Sequence, residues 1–194
     1  SYLTGIDIKI IDFSKKSVEF SDIDGRFPTN LVEIARTWIT EEIDENWIPD
    51  FVGISVLFST AHRTTLEISE GIKTVFPETP IVIGGMHATN SVEKLLKCPS
   101  IDYICRGEAE SIITELAIAF KNNHDPEKVI GVYGRKKFNK EFLTNFDKLK
   151  ETSPLIDNLD EIPFPSWHLL PMNEYIKPSG RARKIDTISQ DGEA

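Results

Sequence analysis

Three short stretches hold residue types that can do chemistry. They are Ser55-Val56-Leu57-Phe58-Ser59-Thr60-Ala61-His62, Gly84-Gly85-Met86-His87-Ala88-Thr89-Asn90 and Arg106-Gly107-Glu108-Ala109-Glu110. A hydroxyl at Ser55, inside an otherwise apolar run, has to find a hydrogen-bond partner, either a backbone carbonyl or a ligand. A Gly-Gly pair directly after a strand lets the chain bend sharply and lets a bulky group approach the backbone. His62 and His87 are metal ligands or general bases in one reading and exposed or hydrogen-bonding loop side chains in the other. Neither has an acidic or cysteine partner at metal spacing. Glu108 and Glu110 open a helix, whose positive N-terminal end favours carboxylates on electrostatic grounds alone. No Gly-x-Gly-x-x-Gly or Gly-Lys-Ser/Thr phosphate loop occurs, and no Ser-His-Asp or Cys-His arrangement is legible.

The elements around these stretches follow from hydrophobic periodicity. Phe51–Phe58 is nearly all apolar, as a strand buried on both faces should be. Ile81–Ile83 and Ile101–Cys105 read as two more buried strands, and the alternation of Ile6–Phe13 reads as another. Between them lie helical patterns. One spans about residues 30–45, capped by Thr29 or Asn30, with Leu31, Ile34, Ala35, Trp38, Ile39 and Ile43 on one stripe; Trp38 reads as core. Others span about 64–75, ended by Pro77, then Ser91–Lys97, then about 109–122 with Ile112, Ile113, Leu116 and Phe120 on one face. Residues 84–90 read as a loop. Strands alternating with helices in this way imply an open parallel sheet with helices on both faces. Ligands of such sheets bind beyond the carboxyl ends of the strands, where the three stretches stand.

After residue 124 the pattern changes. Val129–Tyr133 and Glu141–Thr144 read as a β-hairpin around Gly134-Arg135-Lys136-Lys137. Residues 146–180 carry five prolines, Pro154, Pro163, Pro165, Pro171 and Pro178, and read as an extended tail or linker; residues 181–194 have no core of their own. At the other end, Ser1–Gly5 reads as the last turn of a helix, so a segment is expected to precede residue 1.

The 194 residues are 40% hydrophobic and 27% charged, which fits a soluble globular domain and not a disordered chain. No run approaches the roughly 20 apolar residues of a membrane span. A net charge of -9 argues against nucleic acid and against an anionic membrane surface as partners. The two cysteines, Cys98 and Cys105, are too few for a disulfide scaffold or a four-cysteine metal site; they read as packing residues in a reducing cytoplasm.

Ser55-Val56-Leu57, followed 29 residues later by Gly84-Gly85, resembles the Ser-x-Leu and Gly-Gly elements of cobalamin-binding domains. The wider set Pro49–Ser55, Gly84–Thr89 and Arg106–Glu110 resembles the cobalamin-binding domain that precedes a radical S-adenosylmethionine core. Leu159-Asp160-Glu161-Ile162-Pro163-Phe164-Pro165-Ser166-Trp167 resembles the linker of those enzymes. Two family patterns are missing. One is the Asp-x-His-x-x-Gly that supplies a histidine below cobalt in methionine-synthase-type domains; the other is the Cys-x-x-x-Cys-x-x-Cys of the radical core.

The resemblance implies a flavodoxin-like or Rossmann-like open parallel sheet with a C-terminal hairpin and linker. Residues 1–125 would form the cobalamin-binding domain without its N-terminal strand, 126–150 the hairpin extension and 151–194 the Pro-rich linker. It implies a cobalamin seat made of Ser55, Leu57, Phe58, Ser59, Thr60, His62, Gly84, Gly85, Met86, His87, Ala88, Thr89, Arg106, Gly107 and Glu108, with Ser55 and Gly85 facing the nucleotide tail. No residue of the chain is expected to be catalytic or to ligate the metal. In the parent enzyme, of methyltransferase or cyclase type, the partner is a radical core with an iron–sulfur cluster and S-adenosylmethionine, acting on a small molecule. Two other classes stay open: a flavodoxin-like regulatory or ligand-binding module, such as a receiver domain, and a small α/β enzyme acting alone. The first needs an acidic cluster at the strand ends, where Ser59, Gly84 and Arg106 stand; the second needs a nucleophile or acid–base pair there.

Overall fold

In the computed structural model, residues 6–13, 15–16, 30–135 and 153–176 are described. The chain divides into two compact units, Ser1–Leu159 and Asp160–Ala194. The first holds a four-stranded sheet of β1 (Val52–Ser55), β2 (Ile81–Gly84), β3 (Tyr103–Cys105) and β4 (Val132–Gly134), in that spatial order. β1, β2 and β3 run parallel, with Ser55 opposite Gly84. β4 runs antiparallel to β3, with Cys105 opposite Val132. The helices are α1 (Leu31–Glu42), α2 (His62–Val75), α3 (Met86–Asn90), α4 (Val92–Leu96) and α5 (Ala109–Lys121), with 3-10 turns at Ser59–Ala61 and Pro126–Lys128.

Local chemistry accounts for these elements. The Asn30 side chain accepts the Glu33 backbone N–H at 3.2 Å and caps α1, which buries Ala35, Trp38 and Ile39. α2 meets α1 backbone to backbone at Gly71, where a Cβ would lie 2.5 Å from the Val32 carbonyl oxygen and 2.6 Å from Ala35 Cβ. Strand alternation then sorts the core into two layers. On one face Val56, Ile81, Ile83, Ile104 and Tyr133 pack with Ala35, Ile39, Ile68 and Ile72 of α1 and α2 and with Ala88, Val92, Leu95 and Leu96 of α3 and α4. On the other, Val82, Cys105 and Val132 pack with Ile112 and Leu116 of α5, joined by Phe51, Tyr103 and Phe120. Phe120 stacks on Phe51 at 4.9 Å and meets Tyr103 edge-on at 5.7 Å. At the amino ends of the strands, Asp102 accepts the Ile81 N–H and the Lys73 ammonium, both at 2.9 Å. Lys73 also donates to the Thr79 carbonyl, so one carboxylate ties α2, β2 and β3 together.

Several expectations are corrected. The sheet is mixed and not wholly parallel, because the segment expected to open a hairpin joins β3 as β4; the hairpin's second arm, 141–144, lies outside the described residues, as do 1–5 and 177–194. Residues 6–12 form no strand: Ile6, Ile8 and Ile10 are exposed, while Ile11 and Phe13 pack on the core. The segment is held instead by Trp47 Nε1 donating to Asp7 at 2.8 Å and by Phe13 against Trp38, ring centroids 5.5 Å apart. Alternation alone could not distinguish a paired strand from an extended segment with one side in water. β1 is shorter than 51–58 and, among the described residues, is an edge strand; Gly53 and Ser55 are exposed and Val52 and Ile54 half-buried, so it is not buried on both faces. Residues 86–90 are helical and not loop.

Trp38, Cys98 and Cys105 are buried in the core as expected, and burial pushes the Cys105 thiol up to about 11. Within the second unit the described residues form a 3-10 turn at Trp167–Leu169 and the short α6 (Met172–Ile176), with Phe164 and Trp167 exposed.

Candidate cofactor site at the carboxyl edge

The edge is welded by backbone bonds that need Gly85. The Val56 N–H donates to the Gly84 carbonyl at 2.8 Å, and the Val56 carbonyl accepts the His87 N–H at 3.1 Å. Between them Gly85 sits at φ +95°, ψ 178°, a conformation essentially confined to glycine. A Cβ there would lie 2.6 Å from the Val56 carbonyl oxygen. The open space is at Gly53, where nothing lies within 4 Å of a built Cβ. Gly53 and Ser55 share the strand face of Val82, yet α5 leaves them uncovered; Gly84, opposite Ser55, completes a patch without bulky side chains. Ser55 is exposed, so its hydroxyl is met by water or a ligand and incurs no burial cost.

Thr89 joins the second stretch to the third. Its hydroxyl donates to the Gly85 carbonyl at 3.2 Å and accepts the Gly107 N–H at 3.0 Å; its carbonyl accepts Arg106 Nε at 3.3 Å. The segment after residue 152 straps this turn: the Ser153 N–H donates to the Arg106 carbonyl, and the Ile156 N–H donates to Glu108 Oε2, both at 3.0 Å. Arg106 Nη1 is buried with no hydrogen-bond partner among the described residues, and so is Ser153 Oγ. Such orphaned donors are uncommon in folded proteins.

At the other side of the edge, His62 Nδ1 lies 2.9 Å from His87 Nε2, and His87 Nδ1 lies 3.2 Å from Ser59 Oγ and 3.4 Å from Ser91 Oγ. His87 is only 5% exposed; burial, then the charges of His62 and Lys94, lower its pKa. The rim is apolar: Leu57, Phe58 and Met86 are 61%, 66% and 61% exposed.

The structure thus brings together Ser59, His62 and His87, and separately Gly85, Thr89, Arg106 and Gly107. Thr60 is exposed at the rim, Glu108 is used by the strap, and Ala88 is wholly buried in the core. Gly53, Ser91 and the strap were not among the predicted site residues. Gly53 stands two residues before Ser55, so strand alternation already put it on the same face, and Ser91 stands one helical turn after His87. The strap's contacts are long-range and carry no local signal. Among the described residues, no group of three or more His, Cys, Asp or Glu side chains is arranged to hold a metal ion, and no helix is long and apolar enough to cross a membrane.

Residues 5–117 match the family model described as B12 binding domain. The chain belongs to the B12 binding domain family. This B12-binding domain is 31% identical over 173 residues to an uncharacterized methyltransferase of Pyrococcus horikoshii, a match covering 87% of the chain and 32% of that protein. It is 26% identical over 188 residues to cytidylyl-2-hydroxyethylphosphonate methyltransferase of Streptomyces wedmorensis, covering 89% and 35%. It is 29% identical over 135 residues to the anaerobic magnesium-protoporphyrin IX monomethyl ester cyclase of a Synechocystis species, covering 68% and 25%. Among solved structures, the radical S-adenosylmethionine methyltransferase TsrM of Kitasatospora setae is similar over 66% of the chain and 26% of its own, with a TM-score of 0.44 and 18% identity. The chain spans about a third or less of the length of these curated relatives. The open sheet with helices on both faces agrees with the expected fold.

Proposed function

We propose that this B12-binding domain seats cobalamin on the carboxyl edge of its sheet and presents it to a radical S-adenosylmethionine catalytic core. The observation that carries the reading is the uncovered patch Gly53, Ser55 and Gly84 beside the exposed apolar rim of Leu57, Phe58 and Met86. A corrin is a broad disc with apolar faces, amide side chains and a long nucleotide tail. The bare patch accommodates a tail at the distance of a backbone, and the Ser55 hydroxyl hydrogen-bonds it. Leu57, Phe58 and Met86 cover a disc face; taking one such side chain fully out of water contributes about 1.5–3 kcal/mol.

The orphaned Arg106 Nη1 supports the fit, since it supplies a donor for an amide or phosphate oxygen of the cofactor. Ser59, Thr60, Thr89, Gly107 and Glu108 frame the seat. His87 is not a cobalt ligand in this reading, because both of its ring nitrogens are engaged. Bound cobalamin supplies the cobalt–carbon or one-electron chemistry; the protein supplies seat, orientation and exclusion of water.

Similarity to two methyltransferases and a cyclase supports a partner core of methyl-transfer or cyclisation type. In this proposal that core carries an iron–sulfur cluster and S-adenosylmethionine and acts on a small molecule in the cytoplasm. Titration of the purified chain with hydroxocobalamin, followed by absorbance and equilibrium dialysis, tests the proposal. Saturation near one equivalent, weakened at least tenfold by Leu57→Asp with Phe58→Asp, is expected. Absence of saturable binding by the wild-type chain overturns it.

A further inference from the structure

His62 and His87 are 25 residues apart in the chain and meet at 2.9 Å, their rings edge-on with centroids 5.1 Å apart. Three of the four ring nitrogens are engaged: His62 Nδ1 and His87 Nε2 with each other, and His87 Nδ1 with Ser59 Oγ at 3.2 Å and Ser91 Oγ at 3.4 Å. The fourth, His62 Nε2, has no partner among the described residues and belongs to a half-buried side chain at the start of α2, in the first turn after the apolar rim.

Two proton arrangements satisfy these distances with both imidazoles neutral. In one, His62 Nδ1–H donates to His87 Nε2 and His87 Nδ1–H donates to a serine oxygen; His62 Nε2 is then a bare acceptor. In the other, His87 Nε2–H donates to His62 Nδ1 and a serine hydroxyl donates to His87 Nδ1; His62 Nε2 then carries its proton outward. Both arrangements hold two ring protons, so changing between them by exchange with water involves no net proton transfer. The pair is a support whose outward pole can either donate or accept.

We propose that His62 and His87 form a tautomer relay in which His62 Nε2 hydrogen-bonds an amide side chain of the bound corrin, with His87 as the positioning residue that fixes the ring. The proposal rests on the cobalamin reading above. It follows from chemistry: a corrin amide offers both N–H donors and a carbonyl acceptor, and a pole of either polarity matches either end. His87 is buried and doubly engaged, so its ring is held firmly, and a histidine whose second nitrogen is hydrogen-bonded is fixed in orientation.

The test is nitrogen-15 NMR of histidine-labelled chain with and without hydroxocobalamin, beside affinity measurements on His62→Gln and His87→Gln. In the free chain the His62 and His87 resonances are expected to show coupled tautomers. On binding, His62 is expected to settle into one tautomer with its Nε2 resonance displaced. His87→Gln, with an unchanged circular dichroism spectrum, is expected to abolish that selection and weaken binding about fivefold, the size of one net hydrogen bond. His62→Gln, the safer variant for folding, is expected to weaken it similarly.

Wild-type binding with unmoved His62 resonances, or wild-type affinity in both variants, overturns the relay and leaves the cobalamin reading standing. A histidine-ligated cobalt spectrum lost in His62→Gln overturns the hydrogen-bond role in favour of coordination. Failure of the wild type to bind overturns both readings at once.

Discussion

Replacing Gly85 by alanine separates a glycine the fold needs from one that only the proposed cofactor seat needs. At φ +95° and ψ 178°, a residue with a Cβ carries backbone strain of about 1–3 kcal/mol. The added methyl would also stand 2.6 Å from the Val56 carbonyl oxygen and 3.0 Å from its nitrogen and carbonyl carbon. Val56 cannot retreat freely, because its N–H and C=O hold Gly84 and His87 at 2.8 and 3.1 Å; loosening one of these bonds costs about 1 kcal/mol. Gly85→Ala is therefore expected to lose about 3 kcal/mol, a large part of the stability of an ordinary domain. Gly53→Ala adds its methyl to open space in an extended strand and is expected to be neutral or to gain up to about 1 kcal/mol. Urea unfolding of the two variants and the wild type, followed by circular dichroism, measures both. A Gly85→Ala variant within about 1 kcal/mol of wild type would refute the reasoning, since neither the strain nor the contact would then be real.

Three further outcomes are expected. Thr89→Val leaves the Gly107 N–H without its 3.0 Å acceptor and should cost about 1–3 kcal/mol in the same unfolding assay; no change would mean that the two stretches are joined by other contacts. Asp102→Ala removes the shared acceptor of Ile81 N–H and Lys73 and should cost about 1–3 kcal/mol, visible as a lower urea midpoint. Cys105, with its folded-state pKa raised to about 11 from the ordinary 9.0, contributes stability that is complete below pH 9 and lost as pH climbs towards 11. Stability is expected to fall over that window more steeply than in Cys105→Ala, with native Cys105 unreactive towards iodoacetamide at pH 8; rapid native labelling would contradict its burial.

Much of the architecture was legible because burial and periodicity agree. Ile81–Ile83 and the stripe Ile112, Leu116, Phe120 each admit one placement, and each packs as its spacing requires. The misreadings have a common cause: sequence periodicity reports which side is apolar but not what covers it. Ile6, Ile8 and Ile10 alternate like a strand, yet no strand forms there, and Phe51–Phe58 looks doubly buried although α5 reaches Phe51 and not Gly53 or Ser55. The candidate site was legible as three stretches of sequence because parallel topology collects strand ends on one edge. What joins those stretches was not: the His62–His87 bond, the Thr89 bridge and the Ser153–Ile156 strap span 25, 18 and 47 or 48 residues of chain. Nor was the difference between the two glycines legible: an added Cβ meets the Val56 carbonyl oxygen at Gly85 and nothing within 4 Å at Gly53.

Gly53→Leu tests the central claim most directly. It fills the bare patch beside Ser55 and Gly84 without touching the Val56–His87 weld or the core. Hydroxocobalamin affinity by equilibrium dialysis, measured on a variant whose urea midpoint matches wild type, is expected to fall at least tenfold. Wild-type affinity in that folded variant would contradict the placement of the cofactor on this face of the sheet.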